Sequence, residues 1–276
     1  DLHSFPTRRS SDLVGEKENT ALQFGWIEAM KYEPFNGFHL KASYQRAIRL
    51  PNSKELFGDG IITFPAAGLK PEKSHNFNLG FLIDKNEVFG MSRLQFEVNG
   101  FYMQVSDMIK LIHQHMAAGY VNAEKVRIKG FETELKADIT PSVYAYANFT
   151  YQDVRDVLDY LPHSTTPNPT KGMRVPNIPY LFANFGAEYH SDNLLKNWHV
   201  KAFWDGKFTE EFFYFWELTE QQKRRIPRSF TNDIGVLMTY KNRYSISLEC
   251  HNMADKEVWD QFRRPLAGRT FHIKFR

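Results

Sequence analysis

Arg93-Leu-Gln-Phe-Glu-Val-Asn99 alternates at every position. Successive side chains of an extended chain point to opposite faces, so Leu94, Phe96 and Val98 share one face and Arg93, Gln95, Glu97 and Asn99 the other. The same period of two recurs on both sides of this stretch. Asn76-Phe-Asn-Leu-Gly-Phe-Leu-Ile83 groups Phe77, Leu79, Phe81 and Ile83 against Asn76, Asn78 and Gly80. Between Val143 and Gln152, Ala145, Ala147, Phe149 and Tyr151 oppose Tyr144, Tyr146, Asn148 and Thr150. At the end of the chain Phe271, Ile273 and Phe275 oppose Thr270, His272 and Lys274. Similar runs near 38–49, 126–139, 180–190, 198–208, 230–241 and 244–252, with a less regular one at 22–34, bring the expectation to about eleven strands, all-β.

Alternation alone also describes a soluble sandwich with its apolar face inward. Two features favour a membrane barrel. Several runs reach ten residues, near the 9–11 that a strand needs to cross a bilayer. The connections also alternate in length. Phe35-Asn36-Gly37, Thr140-Pro-Ser142 and Lys241-Asn-Arg243 are tight turns, and the segments 85–92 and 191–197 are moderately longer. Between them lie long loops near 51–72, 111–124, 157–178, 212–228 and 253–268. Short turns at one rim and long loops at the other characterise antiparallel transmembrane barrels.

Composition agrees. Aromatic residues make up 15% of a chain whose mean hydropathy is −0.50, a combination suited to an aromatic lipid face and a polar lumen. No run of about 18 apolar residues offers a spanning helix. A net charge of +3 without a Lys/Arg block gives no reason to expect nucleic acid, and the single Cys250 allows no internal disulfide. Residues 1–13, DLHSFPTRRSSDL, lack the apolar stretch of a signal peptide and resemble the in-frame translation of a sequencing-adapter oligonucleotide; they are expected to be non-native. An odd strand count would leave raw edges, which suggests that the barrel extends beyond the chain.

Several motifs resemble the TonB-dependent receptor family. Arg49-Leu-Pro51-Asn-Ser-Lys-Glu55-Leu56-Phe57 is similar to its R-x-P-x-x-x-E-L-F stretch, and Leu69-Lys-Pro-Glu72-Lys-Ser74 to its LKPE-x-S. Ile128-Lys-Gly130-Phe-Glu132 resembles I-x-G-x-E, and Val175-Pro-Asn-Ile-Pro179 a proline pair. Asn252-Met-Ala-Asp255 with Pro265-Leu-Ala-Gly268-Arg269-Thr-Phe271 resembles the final hairpin. Family members end on an aromatic residue, whereas here Phe275 is penultimate and Arg276 last. The resemblance implies that residues 14–276 are the C-terminal part of a 22-stranded barrel closed around an N-terminal plug absent from this chain. It also implies a Gram-negative outer-membrane location, a periplasmic TonB-type partner and uptake of a scarce nutrient, a ferric siderophore or haem by default. A passive porin or other barrel without energy coupling is the alternative.

Candidate chemistry is sparse. His113-Gln-His115-Met116, in a loop, holds imidazoles suited to iron or copper, or simply solvated. Glu211-Phe-Phe-Tyr-Phe-Trp216 supplies Phe212, Tyr214 and Trp216 either as a substrate-binding wall or, the favoured reading, as part of the interfacial aromatic girdle. Lys223-Arg-Arg225, with Arg228, suits an anionic chelate or lipopolysaccharide phosphates. His39, His199, His251 and His272 read as wall residues, and Glu132, Glu134 and Lys136 as a lumen charge ladder. Gly100, Gly130 and Gly206 suggest close approach or bends. No nucleophile elbow, phosphate loop or CxxC is present, so no catalytic residue, structural metal or cofactor is assigned.

Overall fold

The computed structural model describes residues 23–276 apart from 60–62, 115–116, 162–163, 220–223 and 262–263, with backbone alone at 112–114, 117–118, 123–124 and 193–195. Its elements are β1 (Trp26–Phe35), β2 (Phe38–Arg49), α1 (Ser53–Phe57), β3 (Thr63–Phe64), β4 (Glu72–Val88), β5 (Met91–Gln114), β6 (Ala117–Thr140), β7 (Val143–Asp156), β8 (Leu181–Leu195), β9 (Trp198–Thr209), β10 (Phe212–Phe213), β11 (Arg225–Ile226), β12 (Ser229–Tyr240), β13 (Tyr244–His251), β14 (Trp259–Gln261), β15 (Arg264–Pro265) and β16 (Thr270–Phe275).

Eleven strands form one antiparallel meander in the order β1-β2-β4-β5-β6-β7-β8-β9-β12-β13-β16, with the two-residue β3 lying parallel to β6. The small hairpins β10–β11 and β14–β15 stand apart. This is an arc of a β-barrel wall, as the alternation anticipated.

Directly paired residues share a face, so the register assigns every side chain. One face runs through Ala42, Leu79, Gly100, Phe131, Tyr151 and Leu181, and further on through Trp204, Ile234, Cys250 and Phe271. The other runs through Ser43, Asn78, Asn99, Glu132 and Thr150. The apolar face is the exposed one: Phe77 and Leu79 are 49% and 69% accessible, while Asn76 and Asn78 between them are half-buried. A soluble sheet would bury those rings. An apolar exterior with polar groups turned inward is the arrangement lipid requires.

Five tight connections lie at one rim, at Asn36-Gly37, Phe89-Gly90, Pro141-Ser142, Lys196-Asn197 and Lys241–Arg243. Two of them are shorter than the sequence suggested. β4 and β5 continue to Val88 and Met91, with Phe89 and Gly90 at positive φ (52° and 79°), so 85–92 is a turn of two residues. The segment 191–197 is likewise mostly strand, ending in a turn with Asn197 at φ 65°.

The long connections lie at the opposite rim, with one correction. The expected loop at 111–124 is instead a projecting hairpin, because β5 and β6 stay paired from Ile109↔Asn122 to Gln114↔Ala117. Each of these strands has 24 residues, more than twice what a bilayer needs. Beyond the membrane a ladder needs no alternation, since both faces meet water. At the base of this hairpin, on the inner face, Val126, Val154 and Val175 form a small core with Val105, Met108, Ile128, Ile178 and Trp216.

Candidate functional site

The inner wall and the long-loop rim carry the groups able to meet a solute. On the inner wall, oppositely charged or hydrogen-bonding residues pair across strands. Lys41 Nζ lies 2.8 Å from Glu97 Oε1 and Lys201 Nζ 2.5 Å from Glu188 Oε2, while Lys136 Nζ meets Glu134 Oε2 at 2.8 Å along the same strand. The Tyr146 hydroxyl donates to Asp205 Oδ1 at 2.6 Å, and Asn184 donates to Asn148 at 3.0 Å. Near the edge, Glu249 accepts from the Ser247 hydroxyl at 2.7 Å and from Lys274 at 3.2 Å. The His251 ring lies 3.0 Å from Asp233 and packs edge-on to His272 at 5.0 Å. His199 meets Asp192 at 2.7 Å, and His39 sits 3.6 Å from Glu33. His39, His199 and His251 thus each lie beside a carboxylate, and His272 packs on His251. Glu97, Glu132 and Glu134 line an open recess of about 410 Å³ with Asn99, Asn148 and Thr150, which extends the expected charge ladder into a polar wall.

At the rim, the family-like motifs turn out to be fastenings. Asn52 caps α1 through a capping box with Glu55, and both Glu55 carboxylate oxygens also accept from Arg49 Nη1 at 3.0 Å. The same guanidinium donates to Glu72 at 2.6 and 2.7 Å, and Glu72 accepts the Ile109 backbone N–H at 2.7 Å. One arginine thus ties the end of β2, α1, the start of β4 and the hairpin of β5. In Val175-Pro-Asn-Ile-Pro179, Asn177 at φ 61° donates its backbone N–H to the Phe213 carbonyl at 2.7 Å, and the Pro179 carbonyl accepts from Gln152 at 2.8 Å. Buried Asn252 accepts from and donates to the backbone of Lys256, and Asp255 accepts the Arg269 N–H at 2.8 Å.

Gly130 and Gly206 are close-approach positions. A Cβ on Gly130 would overlap the Tyr151 carbonyl and lie 2.7 Å from Phe101 Cζ, and one on Gly206 would meet the Phe185 ring at 2.6 Å. Gly100 differs, since its nearest atom would be the Leu79 carbonyl at an ordinary 3.6 Å.

The residues singled out for ligand contact are spread over the rim. The His113 backbone pairs with Ala118 in the projecting hairpin, where its side chain is not described, and His115 lies outside the described residues. Phe212 is 4% accessible and pairs with Ile226, which is 2% accessible; its ring is closed off inside the β10–β11 hairpin. Trp216 packs on the inner-face core, with Lys110 Nζ 5.4 Å above its ring. Tyr214 donates its backbone N–H to the Arg224 carbonyl at 2.9 Å and accepts from Asn177 at 3.2 Å. Arg225 lies over Phe213 and pairs with Glu211 at 2.6 Å and Glu217 at 3.4 Å, which hold its pKa above the ordinary guanidinium range. Arg228 pairs with Glu210 at 3.0 Å. The Arg224 guanidinium lies over Phe215 at 4.8 Å and donates to the Trp216 carbonyl at 3.2 Å. It has no carboxylate partner among the described residues. Phe213 and Phe215 also line an open groove of about 420 Å³ with Arg155, Met173, Arg174 and Glu217. The sequence block placed the rings here but not which ones face out, because hairpin pairing decides that.

The profile described as "TonB dependent receptor-like, beta-barrel" matches residues 19–253. Among solved structures, the chain is similar to the FrpB iron transporter from Neisseria meningitidis (F3-3 variant), with a TM-score of 0.67 and 16% identity over 90% of this chain and 38% of that one. It is similar to the copper transporter OprC, with a TM-score of 0.69 and 18% identity over the same shares of 90% and 38%. The ferric yersiniabactin uptake receptor FyuA from Yersinia pestis aligns with a TM-score of 0.61 and 15% identity, over 90% of this chain and 35% of that one. The chain therefore spans little more than a third of the length of these proteins.

Proposed function

We propose, from the premise that this chain belongs to the TonB-dependent receptor-like β-barrel family, that it forms part of the wall of an outer-membrane importer. In this reading residues 14–276 belong to a 22-stranded barrel, a plug fills the lumen, and a periplasmic TonB-type protein supplies the energy for uptake. The observation that carries it is the inverted face pattern, with exposed Phe77 and Leu79 alternating with inward Asn76 and Asn78.

The cargo we propose is a ferric siderophore, with haem as a second ligand of the same kind. FrpB is named an iron transporter and FyuA a ferric yersiniabactin receptor, which supports iron. OprC is named a copper transporter, so the fold alone does not choose the metal. Exposed Phe215 with Arg224 above it offers a ring and a cation to an anionic aromatic chelate. The test is uptake of radio-iron chelate by the source bacterium under iron limitation, with and without the gene and with and without a protonophore. Uptake lost on deletion and on uncoupling supports the reading. Uptake that needs the gene but survives uncoupling would replace it with a passive pore.

A further inference from the structure

The five tight turns of the short-turn rim differ in charge. Asn36-Gly37, Phe89-Gly90 and Pro141-Ser142 carry none, whereas Lys196-Asn197 and Lys241-Asn242-Arg243 hold three exposed cations and no carboxylate. These last two turns touch, since the Lys241 N–H donates to the Asn197 carbonyl at 2.9 Å. Lys241 itself takes φ 50°, a conformation that asparagine or glycine adopts with less strain. A cationic side chain is thus kept at a backbone position that does not favour it.

The acidic groups of the surrounding strands are engaged elsewhere. In β8, Glu188 meets Lys201 and Asp192 meets His199; in β9, Asp205 accepts from Tyr146. In β12 and β13, Asp233 meets His251 and Glu249 meets Lys274, and β16 has no acidic residue. Beside the cations, on the outward face, stands a group of rings. Trp198 pairs with Tyr240 and Tyr240 with Tyr244, on the same face as Trp204, Ile234 and Cys250 farther along these strands. The Trp198 and Tyr240 rings lie 5.1 Å apart, and Lys241 Nζ is 5.2 Å from the Tyr240 ring centre, so this ammonium leans to the outward side. An open groove of about 480 Å³ adjoins them, lined on that face by Trp198, Tyr244, Ile246 and Phe275.

We infer that this corner of the short-turn rim docks an anionic phospholipid of the adjoining, periplasmic leaflet, phosphatidylglycerol in its simplest form. Its phosphate meets Lys196, Lys241 and Arg243, and one acyl chain follows the groove. Charge selects this occupant, because a zwitterionic lipid brings its own ammonium to three cations whereas an anionic headgroup neutralises them. The apolar groove selects a lipid over a free anion, which has no chain to lay against the rings. The inference rests on the membrane placement proposed above but not on the cargo.

The test uses the full-length receptor and its Lys196→Gln/Lys241→Gln/Arg243→Gln variant, reconstituted in phosphatidylcholine bilayers holding small, equal fractions of phosphatidylglycerol and phosphatidylethanolamine. Native mass spectrometry counts each lipid retained after extraction, and a heat-modifiable gel shift reports insertion of each protein. The wild type is expected to retain phosphatidylglycerol in preference to phosphatidylethanolamine. The inserted variant should retain at least about tenfold less of it, a floor for the loss of three cations at a charged surface. Equal retention of phosphatidylglycerol by both inserted proteins, or equal retention of the two lipids by the wild type, overturns the inference. Either result leaves the membrane placement standing and the cations to an acidic partner outside the bilayer. A wild-type protein that does not insert overturns both.

Discussion

Arg49 and Glu72 face each other across the first pair of β2 and β4, joined by two hydrogen bonds of 2.6 and 2.7 Å, while the same guanidinium holds Glu55 on α1. A residue pattern that resembles a family signature is here a mechanical clamp. Glu55 and Glu72 lie 6 and 23 residues from Arg49 in sequence, yet all three meet at one point. Replacing Arg49 by Gln leaves two largely buried carboxylates without a cation and frees the loop above β3. The expected cost is about 2 kcal/mol, measured as a shift in urea unfolding of the bilayer-inserted receptor. The Glu55→Gln, Arg49→Gln double variant should lose less than the sum of the single losses, since the sites share one interaction. Strict additivity would contradict the clamp.

Phe212 and Arg224 separate packing from recognition within one hairpin. Phe212→Ala empties a closed site and should destabilise the β10–β11 hairpin by about 3 kcal/mol, seen as faster proteolytic nicking between 210 and 228. Arg224→Gln removes only the contacts to the Trp216 carbonyl and Phe215 and should raise nicking far less than Phe212→Ala, while weakening binding of an anionic ferric chelate by about tenfold, the effect of losing one charge-assisted hydrogen bond. Equal binding by Arg224→Gln would remove this residue from the ligand surface.

Gly130 should tolerate no side chain while Gly100 tolerates a methyl group. Gly130→Ala drives a Cβ into the Tyr151 carbonyl and toward Phe101, with an expected loss of 1–3 kcal/mol. Gly100→Ala meets only an ordinary contact and should change unfolding by less than about 0.5 kcal/mol. Urea midpoints of the two variants decide the matter, and a similar loss in both would contradict the close approach at Gly130.

These positions also mark how far the sequence could be read. A strand has a side-chain period of two, so Leu94, Phe96 and Val98, or Phe77, Leu79 and Phe81, declare their common face without any structure. The division into short turns at one rim and long connections at the other followed from the alternating lengths between strands. What the pattern could not carry was strand extension beyond the lipid. The Leu111–Val121 region pairs as a hairpin although its residues alternate poorly, because in water neither face is selected. The two-residue turn within 85–92 carries no local mark either, because Phe89 takes positive φ without the Asn-Gly signal of such a turn. At the rim, Glu211-Phe-Phe-Tyr-Phe-Trp216 identified a ring-rich segment, but only the pairing of Phe212 with Ile226 shows which ring is enclosed. The Asp205 carboxylate on Tyr146 and the Glu97 carboxylate on Lys41 come from strands more than fifty residues away, so no local spacing announces them.

Everything above turns on which face of the sheet meets lipid. Spin labels placed one at a time at residues 76–83 of the full-length receptor in phosphatidylcholine bilayers measure this directly, through collision with apolar oxygen and with a water-soluble nickel chelate. An apolar exterior gives oxygen maxima at Phe77, Leu79, Phe81 and Ile83, with nickel maxima at Asn76, Asn78 and Gly80 wherever the lumen admits water. Oxygen maxima at the asparagines, or no period of two, would contradict it.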